Sequence, residues 1–247
     1  MPEAWEITTS DQRSEDQVTT FIIFCEDEND EPFYFRSFGI ENKLKINCIP
    51  NQKNKKLNLL NTLIYCKNAG LIDYIDHTYK LRENVTENIW CVYDRDFENI
   101  DLLQIKESDD LNFTTSIDSA LQAGLKVAWS NDAFELWILL HFEKLPNAKV
   151  HRNYIYDRLT DIFKAYPSIT DKFKDIITSG DFNYKTHLKR RVSFLNFVLP
   201  NIKEKTEQAI ENAISMESFF HGGIPYHDCN PCTKVHHLVK DIISFQI

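Results

Sequence analysis

Short apolar runs punctuate the first half of the chain, and each closes on a polar or acidic residue. They are TTFIIFCE (19–26), LKINCIPN (44–51), NIWCVYDRD (88–96) and LKVAWSN (125–131). Runs this short and this continuous read as β-strands covered on both faces. Helical patterns lie between them at 31–38, 55–80 and 112–123. Strands alternating with helices predict parallel βαβ units. Ligands of such sheets bind outside the carboxyl ends of the strands. Those ends carry Glu26, Asn51, Asp94 with Asp96, and Asn131 with Asp132. Beyond residue 143 the character changes. From about 150 to 245 the pattern is helical throughout, as in NIKEKTEQAIENAISMESFF (201–220). NPCTKVHHLVKDII (230–243) reads as a helix with Asn230 as N-cap and Pro231 at the first helical position. The expected organisation is a flexible leader over 1–18, an α/β domain over 19–147, and a helical C-terminal portion over 148–247 packed on the sheet.

Composition narrows this picture. Hydrophobic residues are 43% and aromatics 13% of the 247 residues. That supports a core and argues against intrinsic disorder. No apolar run approaches the ~18 residues that read as a bilayer span. The opening MPEAWEITTSDQRSEDQ is polar and acidic, without the basic start and apolar centre of a signal peptide. A cytoplasmic protein without membrane contact is expected. Its six cysteines are then expected as free thiols.

The formal net charge of −9 bears on partners. Phosphate contacts supply most non-specific duplex affinity, so nucleic acid must here be met locally or through metal ions. HLKRR (187–191) is the strongest basic cluster of the helical half, and its Lys189, Arg190 and Arg191 are the candidate backbone contacts. The chain carries no GxxxxGK[ST], GxSxG, HExxH or GxGxxG, which argues against the common nucleotide hydrolases.

CVYDRDF (91–97) is the sharpest chemical signal. Residues two apart on a strand share a face, so Asp94 and Asp96 lie side by side, about 7 Å apart. Mg²⁺ takes oxygen ligands, keeps several waters and is usually held by one or two protein carboxylates. A strand-end Asp-x-Asp suits it; the bland alternative is a solvated turn. Glu26, closing the first run, is either an acidic-loop residue before a helix opening at Glu31-Pro32 or a third carboxylate at the same edge. Asp132 and Glu135 have the spacing of an N-cap and its N3 partner, and Glu135 is alternatively a fourth carboxylate of the cluster. His227, Cys229, Cys232, His236 and His237 have a zinc-like spacing. The helix start at Asn230-Pro231 explains that segment without metal, so buried or free thiols, surface histidines and no structural zinc are expected.

FCEDENDEPFYFRSF, IWCVYDRDF, AWSNDAFELWILLHFE and NPCTKVHHLVKDI together resemble the RloB-like (AbiLii-type abortive-infection) family, in the family's order and over residues 21–243. The resemblance implies a Toprim-related fold, in which a Glu after the first strand and a DxD after a later one hold Mg²⁺, with Mn²⁺ as a substitute. Glu26, Asp94 and Asp96 stand at those places, and Asp27 replaces the family's glycine in CEG. It further implies a metal-dependent nuclease acting on DNA or RNA, an effector of anti-phage defence with a partner ATPase. The expected site is Glu26, Asp94, Asp96 and Glu135 on metal, with Lys185 or Lys234 stabilising phosphate charge. The alternative is a non-catalytic Toprim-like sensor or adaptor binding nucleotide or a protein partner.

Overall fold

A computed structural model of the protein describes residues 20–42, 44–50, 59–96, 107–166 and 171–245. The expected leader, residues 1–18, and Asn51 lie outside these. A five-stranded sheet organises the molecule. Its strands are β1 (Thr20–Cys25), β2 (Lys45–Pro50), β5 (Asn88–Asp94), β6 (Lys126–Asn131) and β7 (Cys232–Thr233), in spatial order β2-β1-β5-β6-β7. The first four pair in parallel, and β7 runs antiparallel to β6. This is the α/β architecture with a mostly parallel sheet that the apolar runs predict, consistent with a Toprim-like fold.

Alternation along each strand feeds two cores. Phe21, Ile23, Cys25, Trp90, Val92 and Ala128 face one hydrophobic cluster. Ile22, Phe24, Ile89, Cys91, Val127 and Trp129 face the other. That two-sided burial is why the runs are continuous in sequence rather than alternating with polar residues.

Helix α1 (Asp30–Asn42) links β1 to β2. The path from β2 to β5 holds α2 (Leu59–Asn68) and a hairpin of β3 (Ile72–Ile75) and β4 (Thr78–Leu81). The helical pattern over 55–80 is thus corrected beyond residue 68. Asp76 and His77 both take positive φ, 50° and 62°, the signature of a two-residue hairpin turn. Helix α3 (Glu107–Gln122) precedes β6.

Among the described residues the remaining α-helices are α4 (Glu135–Leu140), α5 (Arg152–Lys164), α6 (Asp171–Thr178), α7 (Tyr184–His187), α8 (Arg191–Ser193), α9 (Leu199–Lys203), α10 (Thr206–Glu217) and α11 (Val235–Ser244), with a π-helical turn over Phe194–Val198 and a 3₁₀ turn over Tyr226–Asp228. Apolar residues of α4, α5, α10 and α11 join the first core cluster with β1 and β5. The helical pattern over 201–220 is realised as two helices, with a break between α9 and α10. Thr206 Oγ1 donates to the Lys203 carbonyl at 2.7 Å, a side-chain bond that competes with the helical one.

The Asn230-Pro231 start is also corrected. Asn230 spends its side chain elsewhere: Oδ1 accepts from Val150 N at 2.7 Å, and Nδ2 donates to Asn131 Oδ1 at 3.1 Å. The chain instead forms β7. The helix begins at Val235, whose N–H donates to Thr233 Oγ1 at 3.3 Å. No helix among the described residues is long and apolar enough to cross a membrane.

Candidate active site

Strand order places the site. From β1 the chain moves outward to β2, then crosses back to β5 on the other side of β1. The crevice at such a reversal, at the carboxyl ends, is where open α/β sheets bind ligands. Glu26 follows β1 and Asp94 ends β5, so both stand at this point. They are joined directly, since Asp94 N donates to Glu26 Oε2 at 2.8 Å.

The loop after β1 is held by its own acids. Glu31 Oε2 accepts from Glu26 N at 2.7 Å and from Asp27 N at 3.2 Å. Asp27 Oδ1 accepts from Asn29 N at 2.8 Å. Asp27 is not among the positive-φ residues, so the loop does not need the family's glycine. Asp30 opens α1 with a side chain 1% exposed and both carboxylate oxygens without a hydrogen bond. Burial raises the pKa of Asp30, with Lys189 opposing. Burial, then Asp94 and Asp27, raises that of Glu31.

Asp94 has one oxygen fixed and one left over. Phe134 N donates to Oδ2 at 2.8 Å. Oδ1 is buried and makes no hydrogen bond. Burial first, then Glu26 and Glu135, holds its carboxyl well above the usual carboxylate range, against Phe134 N–H and Arg152. The chain turns at Asp96, with φ of 57°. Asp96 Oδ1 accepts from Arg152 Nη1 at 2.8 Å. The same guanidinium grips buried Asp132, with Nη2 to Oδ1 at 2.8 Å and Nε to Oδ2 at 3.0 Å. Arg95 points elsewhere, to Asp110 and to the His227 carbonyl, and ties the strand end to α3 and the C-terminal segment.

Glu135 does not cap α4; the N-cap position is Phe134 and makes no side-chain bond. Glu135 is 2% exposed, and its Oε1 lies 2.5 Å from Lys189 Nζ. The same ammonium is 3.6 Å from Asp27 Oδ2. Burial works against the Lys189 charge, but Glu135, Tyr156, Asp30 and Asp27 outweigh it and hold the pKa well above the ordinary value.

The sequence-derived site is therefore partly assembled. Glu26, Asp94, Asp96 and Glu135 come to one edge. Lys189, expected on a nucleic-acid backbone, sits among the acids. Arg190 and Arg191 are exposed beside it, with Arg191 over the Phe33 ring at 5.0 Å. Lys185 is exposed, 5.7 Å over the Tyr156 ring that also borders Lys189 at 6.0 Å. Lys234 lies apart, on Glu217 and 5.8 Å over Trp129. Asp30, Glu31 and Arg152 also stand at this edge and are not among the candidates read from the sequence, while Asp132, read there as a strand-end residue and N-cap, is held by Arg152.

The donors suit a hard divalent ion. Asp94 Oδ1 and both Asp30 oxygens are buried acceptors without a donor, and the acids around Asp94 raise its pKa. A bound cation reverses that penalty. Among the described residues, no three donor atoms at this edge all lie within 4.8 Å of one another.

Residues 21–242 match the family model described as RloB-like protein. No curated protein and no solved structure matches the chain.

Proposed function

The chain belongs to the RloB-like protein family, and from that premise and the acidic strand edge we propose that it is a Mg²⁺-dependent nuclease. In this reading it is an effector of anti-phage defence that works with a partner ATPase. The observation that carries the reading is Asp94. Its Oδ1 is a buried, unbonded carboxylate oxygen at the crevice between β1 and β5. Glu26 and Glu135 act on it, and Glu135 is in turn paired with Lys189.

A divalent ion bound here would supply charge neutralisation at the scissile phosphate and make its bound water more acidic. Asp94 and Glu26 would hold it, with Asp96 and Glu135 completing the set; Mn²⁺ fits the same oxygens. Glu26 would alternatively act as the general base toward the attacking water. Lys189 Nζ stands nearer the acids than Lys185 or Lys234, and in this reading it would turn from Glu135 toward the developing phosphate charge once a metal ion takes over that carboxylate. Arg152 orients the edge by fixing Asp96 and Asp132. Arg190 and Arg191, exposed beside Lys189, would hold the nucleic-acid backbone, DNA or RNA.

One observation favours the alternative, a non-catalytic Toprim-like sensor or adaptor. Arg152 and Lys189 already balance Asp96, Asp132 and Glu135 internally. Single- and double-stranded DNA and RNA, incubated with the protein, its partner ATPase and Mg²⁺, separate the two readings. Nuclease action predicts strand scission that chelator and Asp94→Asn both abolish. Scission that survives Asp94→Asn removes the assignment.

A further inference from the structure

A second cluster lies where α10 meets α11 and shares no residue with the acidic edge. Glu217 closes α10, and His236 and His237 lie in the first turn of α11. His236 Nε2 is 2.8 Å from Glu217 Oε2, and His237 Nε2 is 3.1 Å from the same oxygen. The three donor atoms all lie within 4.8 Å of one another, and no other such group of three occurs among the described residues.

The hydrogen bonding of His236 shows what is missing between them. Its Nδ1 is 3.1 Å from the Thr233 carbonyl. A carbonyl only accepts, so Nδ1 carries the proton. His236 is 0% exposed. Nε2 then presents a lone pair, and that buried atom makes no hydrogen bond although a carboxylate oxygen sits 2.8 Å away. What that contact lacks is a cation between the two atoms, either a proton on Nε2 or a metal ion.

An imidazole whose other nitrogen donates to a backbone carbonyl is the usual form of a metal-ligating histidine. Two imidazoles and a carboxylate suit a borderline first-row divalent ion better than Mg²⁺, which prefers oxygen. Lys234 holds the other Glu217 oxygen. It orients the carboxylate and, being cationic, weakens the site somewhat. His237 is 48% and Glu217 30% exposed in their side chains, which leaves the remaining coordination positions open to water.

We propose that Glu217, His236 and His237 form a zinc-class metal site that ties the end of α10 to the start of α11. Cys229 and Cys232 take no part. The proposal departs from the sequence expectation of surface histidines and no structural zinc in this segment, because His236 is buried against Glu217.

The test uses the full chain in an Asp94→Asn background, which silences the acidic edge. The chain is stripped with chelator and titrated with Zn²⁺ alone. The expected result is one equivalent bound, with affinity reduced at least about tenfold by His237→Ala and by Glu217→Gln and unchanged by Cys229→Ser. His237 is half-exposed, so its variant tests binding without opening the core. X-ray absorption of the zinc form of the otherwise unmodified chain is the second measurement. It should show imidazole and oxygen scatterers and none at the Zn–S distance of about 2.3 Å. Absence of zinc binding, binding that persists in both variants, or a sulfur shell lost with Cys229→Ser would each overturn the proposal.

Discussion

Replacing Asp94 by Asn should abolish metal-dependent activity and leave the metal-free fold more stable than wild type. The side chain has two oxygens with different fates. Oδ2 accepts from Phe134 N at 2.8 Å, and an Asn carbonyl keeps that bond. Oδ1 is buried without a donor while Glu26 and Glu135 press on it. An unsatisfied buried polar group costs about 1–3 kcal/mol. An amide there removes the charge and turns a donor toward the neighbouring carboxylates. The expected gain is therefore about 1–3 kcal/mol, at about 2–4 °C per kcal/mol for a chain of this size. The folded pKa of Asp94 is raised, by burial first and then by Glu26 and Glu135. Its cost is accordingly absent below the unfolded value of about 3.9 and grows as pH rises above it. The advantage of Asn should be largest at pH 7 and above and should vanish toward pH 4. Thermal unfolding in chelator at both pH values reads this directly. Mg²⁺ at 100 times its dissociation constant should then raise the wild type by about 2.7 kcal/mol and the variant by far less. A variant that melts below wild type in chelator would make Asp94 a structural hydrogen-bonding residue and refute the reasoning.

Lys189→Met leaves Glu135 and Asp30 buried without their cation. It should cost about 3 kcal/mol by denaturant titration, largely recovered by adding Glu135→Gln. Arg152→Lys keeps the charge but loses the fork on Asp132 and the bond to Asp96. A loss of about 1.5–3 kcal/mol is expected in the same assay. His141, buried between Tyr34 Oη and the Trp137 carbonyl, has its pKa lowered to about 4, chiefly by burial. A lowered histidine pKa means that the unfolded chain takes up the proton first. Stability should fall as pH drops from about 6.5 toward 4, and His141→Phe should remove that part of the slope in pH-dependent melts.

The strands and the acids at their ends were legible in the sequence because both follow from local pattern. Apolar runs with polar closures report two-sided burial and the binding edge of a parallel sheet. The partners of those acids were not legible. Arg152 is a lone arginine in KVHRNY, and its fork on Asp132 joins residues 20 apart across separate elements. Lys189 sat in HLKRR, where three neighbouring bases look alike; only folding turns the first toward Glu135 and leaves the other two exposed. Asp30 was hidden within the acidic stretch EDENDEP, since burial at a helix start leaves no mark on composition. The hairpin at 72–81 was read as helix because its turn residues, Asp76 and His77, lack the glycine that usually signals positive φ. Asn230-Pro231 has the form of a helix start, but tertiary bonds to Val150 and Asn131 claim the capping side chain.

The central claim is that the edge formed by Glu26, Asp94 and Glu135 holds a divalent ion. Anomalous scattering from crystals soaked in Mn²⁺ tests it most directly. The account predicts a manganese peak within coordination distance of Asp94 Oδ1, shared with Glu26 or Glu135 and absent from Asp94→Asn crystals. An Asp94 carboxylate that carries no manganese at saturating concentration would contradict it.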